Sequence, residues 1–227
     1  MQITTEINKA VRNLLWNGAG LAATDRVLIV HEPEDTGYYG KGLAIAVKNA
    51  AAELGHGVQL LERPFVPDLI QPDPETAEAM DAAELTLFLS RMGDQIRFRP
   101  GARPARIAIC YALDLLALAS PYGSIDHRAM ERLRARIDLA HRSANLIRIT
   151  CPAGTELIGA DTPGDSVKDT HALRFPLSVH TPVSCSGFSG RIAQTGFLVG
   201  TGSRFYDPYA IEIESTLFVH VDRGRIS

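Results

Sequence analysis

The sequence predicts an α/β protein: a mostly parallel, Rossmann-like sheet with helices on both faces, followed by an antiparallel β-rich segment. Three observations carry this. Short continuous apolar runs alternate with helical periods through the first two-thirds of the chain. Strand, helix and strand joined by short links require parallel pairs with right-handed crossovers. After Thr150 the helical period disappears and strand-like runs separated by Gly-rich turns take over. The expected division is an α/β domain over 1–150 and a β-rich segment over 151–227, packed on or beside it.

The elements follow in order. Ile7, Val11, Leu14 and Leu15 fall on one helical face, with Thr4 or Thr5 as N-cap and Gly18 and Gly20 as the stop. Arg26 to His31 is a continuous apolar run, as a strand buried on both faces requires. A polar loop, Glu32 to Gly42, leads into a helix with Leu43, Val47, Ala50, Ala51 and Leu54 at helical spacing, ended by Gly55. Val58 to Leu61 is the next strand. Asp73-Pro74-Glu75 starts a helix with an N-cap, a proline at the first position and an acid in the first turn. Strands are expected at Leu85–Leu89 and Arg106–Tyr111, with a polar loop over Arg91 to Arg103 between them. A short helix over Asp114–Ala119 is broken by Pro121 and Gly123. Ser124 caps a long helix with Met130, Leu133, Ile137, Ala140 and Ala144 as its apolar stripe. Leu146 to Thr150 is expected as a fifth strand of the parallel layer. Ile192–Val199 and Ala210–Val221 are the clearest strands of the β-rich part.

Composition bounds the function. At roughly 150 residues per domain, 227 residues make one and a half domains. Hydrophobic residues at 45% and charged residues at 22% exclude wholesale disorder. A formal charge of −3 provides no basic field for a polyanion, so nucleic acid is not expected as a partner. No run reaches the roughly 18 apolar residues of a membrane helix, and the N-terminus lacks the regions of a signal peptide. A cytoplasmic location is expected. Cys110, Cys151 and Cys185 are far apart and odd in number, which argues against a disulfide framework or structural zinc.

In a parallel sheet, ligands bind beyond the carboxyl ends of strands. That makes His31, Glu32, Cys110 and Tyr111 candidate substrate-binding residues. Tyr38 and Tyr39 join them, from a loop that enters a helix N-terminus. The alternative is an ordinary polar loop with surface tyrosines, since no G-x-G-x-x-G stands there. His220-Val221-Asp222 places an imidazole and a carboxylate two apart on a strand, hence on one side. With His180 they would make a 2-His-1-carboxylate metal set; the alternative is a polar strand end. Cys185 has His180 as a nominal base, against inert packing of a buried cysteine. Gly200-Thr201-Gly202-Ser203-Arg204 suggests a phosphate loop, against a hairpin turn.

Ile147-Arg148-Ile149-Thr150-Cys151-Pro152-Ala153-Gly154-Thr155-Glu156-Leu157 resembles the strand and Gly-Thr segment of the aminopeptidase T and S family of metallopeptidases. The order of elements is similar over most of the chain, including Glu53-Leu54-Gly55-His56-Gly57-Val58 and the closing Phe218 to Ile226. The same fold family includes an iron-dependent dioxygenase that opens dihydroxypyridine rings. The resemblance implies an N-terminal, pocket-shaping domain of a metal-dependent enzyme. The family's metal ligands lie in a C-terminal domain, which has no counterpart in this sequence. Peptide or amide hydrolysis, or oxygenation of a small aromatic ring, is the implied chemistry, with zinc or iron as the implied metal and a small molecule or peptide as substrate. A non-catalytic module that pairs with a partner subunit or forms a homo-oligomer is the rival. A self-contained metalloenzyme using His180, His220 and Asp222 is the third possibility.

Overall fold

The computed structural model describes residues 2–67, 69, 71–97, 106–161, 172–177, 184–199 and 210–227. They fall into two compact units. The first runs to Arg132 and also takes in the strand Leu173–Phe175; the second begins at Leu133.

The first unit opens with α1 (Gln2–Arg12), which continues as a π-helical turn over Asn13–Gly18. Thr4 and Thr5 therefore lie inside the helix rather than capping it. Strand β1 (Val27–His31), α2 (Leu43–Glu53), β2 (Val58–Glu62), α3 (Pro74–Ala82) and β3 (Leu85–Leu89) follow as the hydrophobic periods predict. The Asp73 carboxylate accepts the Thr76 N–H at 3.0 Å, the N-cap that its sequence announces. Next come α4 (Met92–Ile96), β4 (Arg106–Cys110), α5 (Leu115–Ala119), α6 (Pro121–Ser124) and α7 (His127–Ser143), whose residues from Leu133 on belong to the second unit.

Two expectations fail here. The loop expected from Arg91 begins as helix α4, because Met92 and Ile96, one turn apart, bury against Phe88 and Ile109. Gly93 permits this closeness: a Cβ there would fall 2.8 Å from the Phe88 Cβ. On α7 the apolar stripe is only partly the buried side: Met130 and Ile137 are half-buried, but Leu133 and Ala140 are exposed. His127 and Asp138 are buried while Leu133 is 52% exposed.

The sheet of this unit has the order β2-β1-β3-β4-β7, where β7 is Leu173–Phe175. All its pairings are parallel. Alternate residues feed two cores. Ile29, Leu87, Leu89 and Cys110 pack with α1, α2 and α5; Leu28, Val30, Phe88 and Ile109 pack with α3 and α4. β3 is buried at every position, which is why it reads as an unbroken apolar run.

The second unit holds an antiparallel sheet of order β10-β9-β8-β6-β5. Its strands are β5 (Ile147–Thr150), β6 (Glu156–Gly159), β8 (Ser189–Val199), β9 (Ala210–Asp222) and β10 (Arg225–Ile226). Two strands have thus changed sheets relative to expectation. β5 was expected in the parallel layer. It pairs instead with β6, because the turn Cys151–Thr155 closes a hairpin, with Gly154 at φ 109° and the Cys151 N–H donating to the Thr155 carbonyl at 3.2 Å. β7, from the stretch expected as antiparallel, completes the parallel sheet beside β4. Three residues are too few to show a period. Cys185, expected as a packed core cysteine, is exposed. His180 and the Gly200–Arg204 segment lie outside the described residues. Among those residues no helix is long and apolar enough to cross a membrane.

Candidate functional site

The chain leaves β1 for β2 on one side, then crosses back to β3 on the other. The carboxyl ends of β1 and β3 are therefore the topological switch point, where open α/β sheets place ligands. The parallel register sets His31 beside Leu89. The next residues then meet. Glu32 donates its N–H to the Leu89 carbonyl at 3.2 Å. Its carboxylate, 1% exposed, accepts the Arg91 backbone N–H at 2.7 Å and the Arg91 guanidinium through Nε at 3.0 Å and Nη2 at 2.6 Å. This two-pronged pair fixes the guanidinium plane. That plane lies over the Phe65 ring, 3.8 Å from its centre, and 4.6 Å from the centre of Tyr38.

Loop residues close the same edge. The Tyr38 and Tyr39 rings meet edge to face with centres 5.3 Å apart. Tyr39 donates its hydroxyl to the Cys110 carbonyl at 3.1 Å, and the Gly40 N–H donates to the Leu113 carbonyl at 2.7 Å. A Cβ on Gly40 would fall 2.8 Å from the Asp114 Cβ, so glycine lets the loop seat against the segment after β4. The His31 imidazole, in the tautomer protonated at Nδ1, donates to the Glu32 carbonyl at 3.1 Å.

A second cluster stands at the end of β4. The Tyr111 hydroxyl donates to Asp94 Oδ1 at 2.7 Å and accepts from Arg97 Nη1 at 2.7 Å; Arg97 also donates to the same Asp94 oxygen. Burial, together with the Asp94 hydrogen bond and charge, raises the Tyr111 phenol well above the ordinary tyrosine range. Burial, then the nearby Cys110 and Tyr38, does the same to Tyr39. Burial pushes the Cys110 thiol up to about 12.

The raised phenols give a pH prediction. A folded-state pKa above the unfolded value stabilises the fold fully below about pH 10 and less as pH rises beyond it. Of the six tyrosines, Tyr39 and Tyr111 are expected to ionise late in a phenolate absorbance titration, with unfolding accompanying them. Tyr111→Phe should remove one late-ionising group. Six tyrosines titrating together near pH 10 would contradict the assignment.

Of the six expected ligand-contacting residues, the structure therefore gathers Glu32, Tyr38 and Tyr39 around one cluster. It sets His31 beside them and places Tyr111 in the neighbouring Asp94 triangle. Cys110 differs. Its side chain is buried in the core among α1, α2 and α5, so it contributes its carbonyl and not its thiol. Arg91, Phe65, Asp94 and Arg97 were not anticipated. Their one sequence signal is position: each falls within a few residues after an apolar strand, or in or directly after the short helix that follows one.

Of the proposed metal residues, His220 and Asp222 are exposed at the end of β9 in the second unit. His220 and Asp222 share a side of the strand, yet the residues directly opposite them are Arg191 and Arg225. Two guanidiniums disfavour a cation there. Among the described residues no group of three or more His, Cys, Asp or Glu side chains could hold a metal ion. The described residues do not fit zinc or iron. A groove of about 200 Å³ lies at the other, N-terminal ends of β1 and β2, beside Arg26, Gly57, Gln59 and Ala83. Arg26 is held there by Glu84 through two contacts of 3.2 Å, and small apolar side chains and backbone form much of the wall.

No family model matches the chain, and no curated protein matches it. Among solved structures, the 2,5-dihydroxypyridine dioxygenase of Pseudomonas putida KT2440 aligns with a TM-score of 0.59 and 15% identity. The alignment covers 99% of this chain and 67% of that one. The chain shares its fold with a dioxygenase. At this identity the likeness establishes the architecture, an α/β unit with a separate antiparallel sheet, and no family model supports membership of the aminopeptidase T and S family.

Proposed function

We propose that the chain binds a small planar aromatic ligand at the carboxyl ends of β1, β3 and β4, as the substrate-binding part of a ring-oxygenating enzyme. The carrying observation is the Arg91 guanidinium, fixed by Glu32 and laid over Phe65 and Tyr38 at the switch point. Glu32 and Arg91 together are neutral, so the wall they build favours a flat, polarisable ring over an ion. Tyr111, its proton retained by burial and Asp94, supplies a hydroxyl at the same sheet edge. The dioxygenase of similar fold acts, by its name, on such a ring, which favours ring oxygenation over amide hydrolysis. The metal that this chemistry uses would be held by ligands other than the described residues.

Calorimetric titration with 2,5-dihydroxypyridine and, separately, with leucine amide tests the reading. The ring is expected to bind and the amide not. Phe65→Ala and Tyr38→Ala should each weaken the ring by about 5- to 30-fold, the equivalent of about 1–2 kcal/mol of lost stacking. Binding of the amide alone would move the assignment to hydrolysis. Ring binding unchanged in both variants would remove the site from this edge of the sheet.

A further inference from the structure

The antiparallel sheet of the second unit has one face without a charged side chain. Directly opposed residues on neighbouring strands share a face. Ile149, Leu157, Gly190, Val221 and Ile226 make one row across all five strands. Further along the long β8–β9 ribbon the pairs Ile192 with Val219 and Gln194 with Leu217 continue this face, and beyond a register shift between Gln194 and Gly196 it carries Gly196 with Ile213 and Leu198 with Ile211. The other face mixes charge with apolar side chains: Arg148, Glu156, Arg191, Glu212, His220 and Asp222 stand there beside Ile158, Phe197 and Phe218. A sheet with one charged and one uncharged face buries the uncharged one. Here that face is open at its ends and along the ribbon, while Leu157, Ile192, Ile213, Val219 and Val221 are half-buried and Gly159 packs against Phe188. Ile149 is 48% exposed, Ile211 52% and Ile226 80%.

We propose that this apolar face is a homodimer interface, stacked face to face on the same face of a second copy of the chain. Three arguments select that occupant. The patch has no charge, so it meets its own image without repulsion, as a two-fold interface requires; a strongly charged partner would find nothing to pair with. Its size suffices. Eleven residues of β9 run about 34 Å, and with the five-strand base the footprint is about 500 Å² per copy. A pair then buries about 1,000 Å², the threshold for a specific interface. Finally, the outer half of the ribbon pairs only within itself among the described residues, and an isolated two-stranded ribbon is marginal in water. Stacking two sheets about 10 Å apart supplies the missing layer. This inference stands apart from the ligand site, which lies in the other unit.

Sedimentation velocity over a dilution series reads the result. The chain is expected to sediment as a reversible dimer. Ile211→Lys with Leu217→Lys, and Ile211→Glu with Leu217→Glu, each replace two half-exposed side chains, so folding should survive by circular dichroism. Each doubly substituted chain should raise the dimer Kd by on the order of 100-fold or more, the penalty for burying unpaired charge. Mixing the lysine and glutamate chains should restore association. Glu212→Ala, on the charged face, should leave it unchanged. A wild-type chain monomeric at all concentrations would overturn the proposal. So would face variants that associate as wild type does, or charge-opposed variants that stay apart when mixed.

Discussion

Arg91→Ala is expected to lower the unfolding free energy by about 3 kcal/mol, the low end for breaking a buried ion pair. The physical cause is the carboxylate left behind. Glu32 has 1% of its side chain exposed, and its described partners are the Arg91 backbone N–H and guanidinium. Without the guanidinium, one backbone hydrogen bond must hold a negative charge in a site water does not reach. The loss falls at the low end because Arg91 itself is 20% exposed and partly solvated. For a chain of this size the loss corresponds to a drop in Tm of roughly 6–12 °C. Urea unfolding measures it directly. Substituting both partners, Glu32→Leu with Arg91→Met, should recover much of the loss, since removing a whole buried pair is often nearly neutral. A single-substitution loss below about 1 kcal/mol would show that the pair is solvated in solution.

Asn13→Ala is expected to cost a similar amount, about 3 kcal/mol, for a different reason. Asn13 is buried at the start of the π-helical turn. Its Nδ2 donates to the Gly123 and Ile125 carbonyls at 3.1 and 2.7 Å, and its Oδ1 accepts the His127 N–H at 2.9 Å. One side chain thus ties the first helix to the backbone at the start of α7, more than a hundred residues on. Alanine strands three backbone groups, each worth about 1 kcal/mol or more when left unpaired in the interior. Asn13→Asp should fail too, because it keeps the acceptor and loses both donors. Thermal unfolding of the two variants checks this. An Asn13→Asp chain as stable as wild type would mean that the two carbonyls find other donors.

Both predictions show where the sequence stops being readable. Glu32 was evident as a polar residue directly after a buried strand. Its partner was not, because Arg91 lies 59 positions away in a stretch whose charges and prolines suggest a loop. Only the register that sets His31 beside Leu89 brings the two together. Tyr38 and Tyr39 were evident for their place before a helix, but not that Tyr38 meets the Arg91 guanidinium and Tyr39 reaches the Cys110 carbonyl. Cys110 carried a functional expectation from its position at a strand end. The alternation of the sheet turned its thiol into the core and left its carbonyl to act.

Apart from α4, α6 and β7, the strands and helices of the first unit followed from the sequence alone, since a buried parallel strand must be apolar throughout and a packed helix must repeat its apolar face. The parallel layer, its two cores and the carboxyl edge as the place for a ligand all rest on those local patterns. Which sheet each short strand joined was a tertiary decision. Ile147–Thr150 and Leu173–Phe175 are too short to carry a period. Their partners were chosen by a tight glycine turn in one case and by an open sheet edge beside β4 in the other. The same holds for the apolar face of the second sheet. Alternation in β9 is written in the residues, but only pairing across five strands assembles it into a continuous surface.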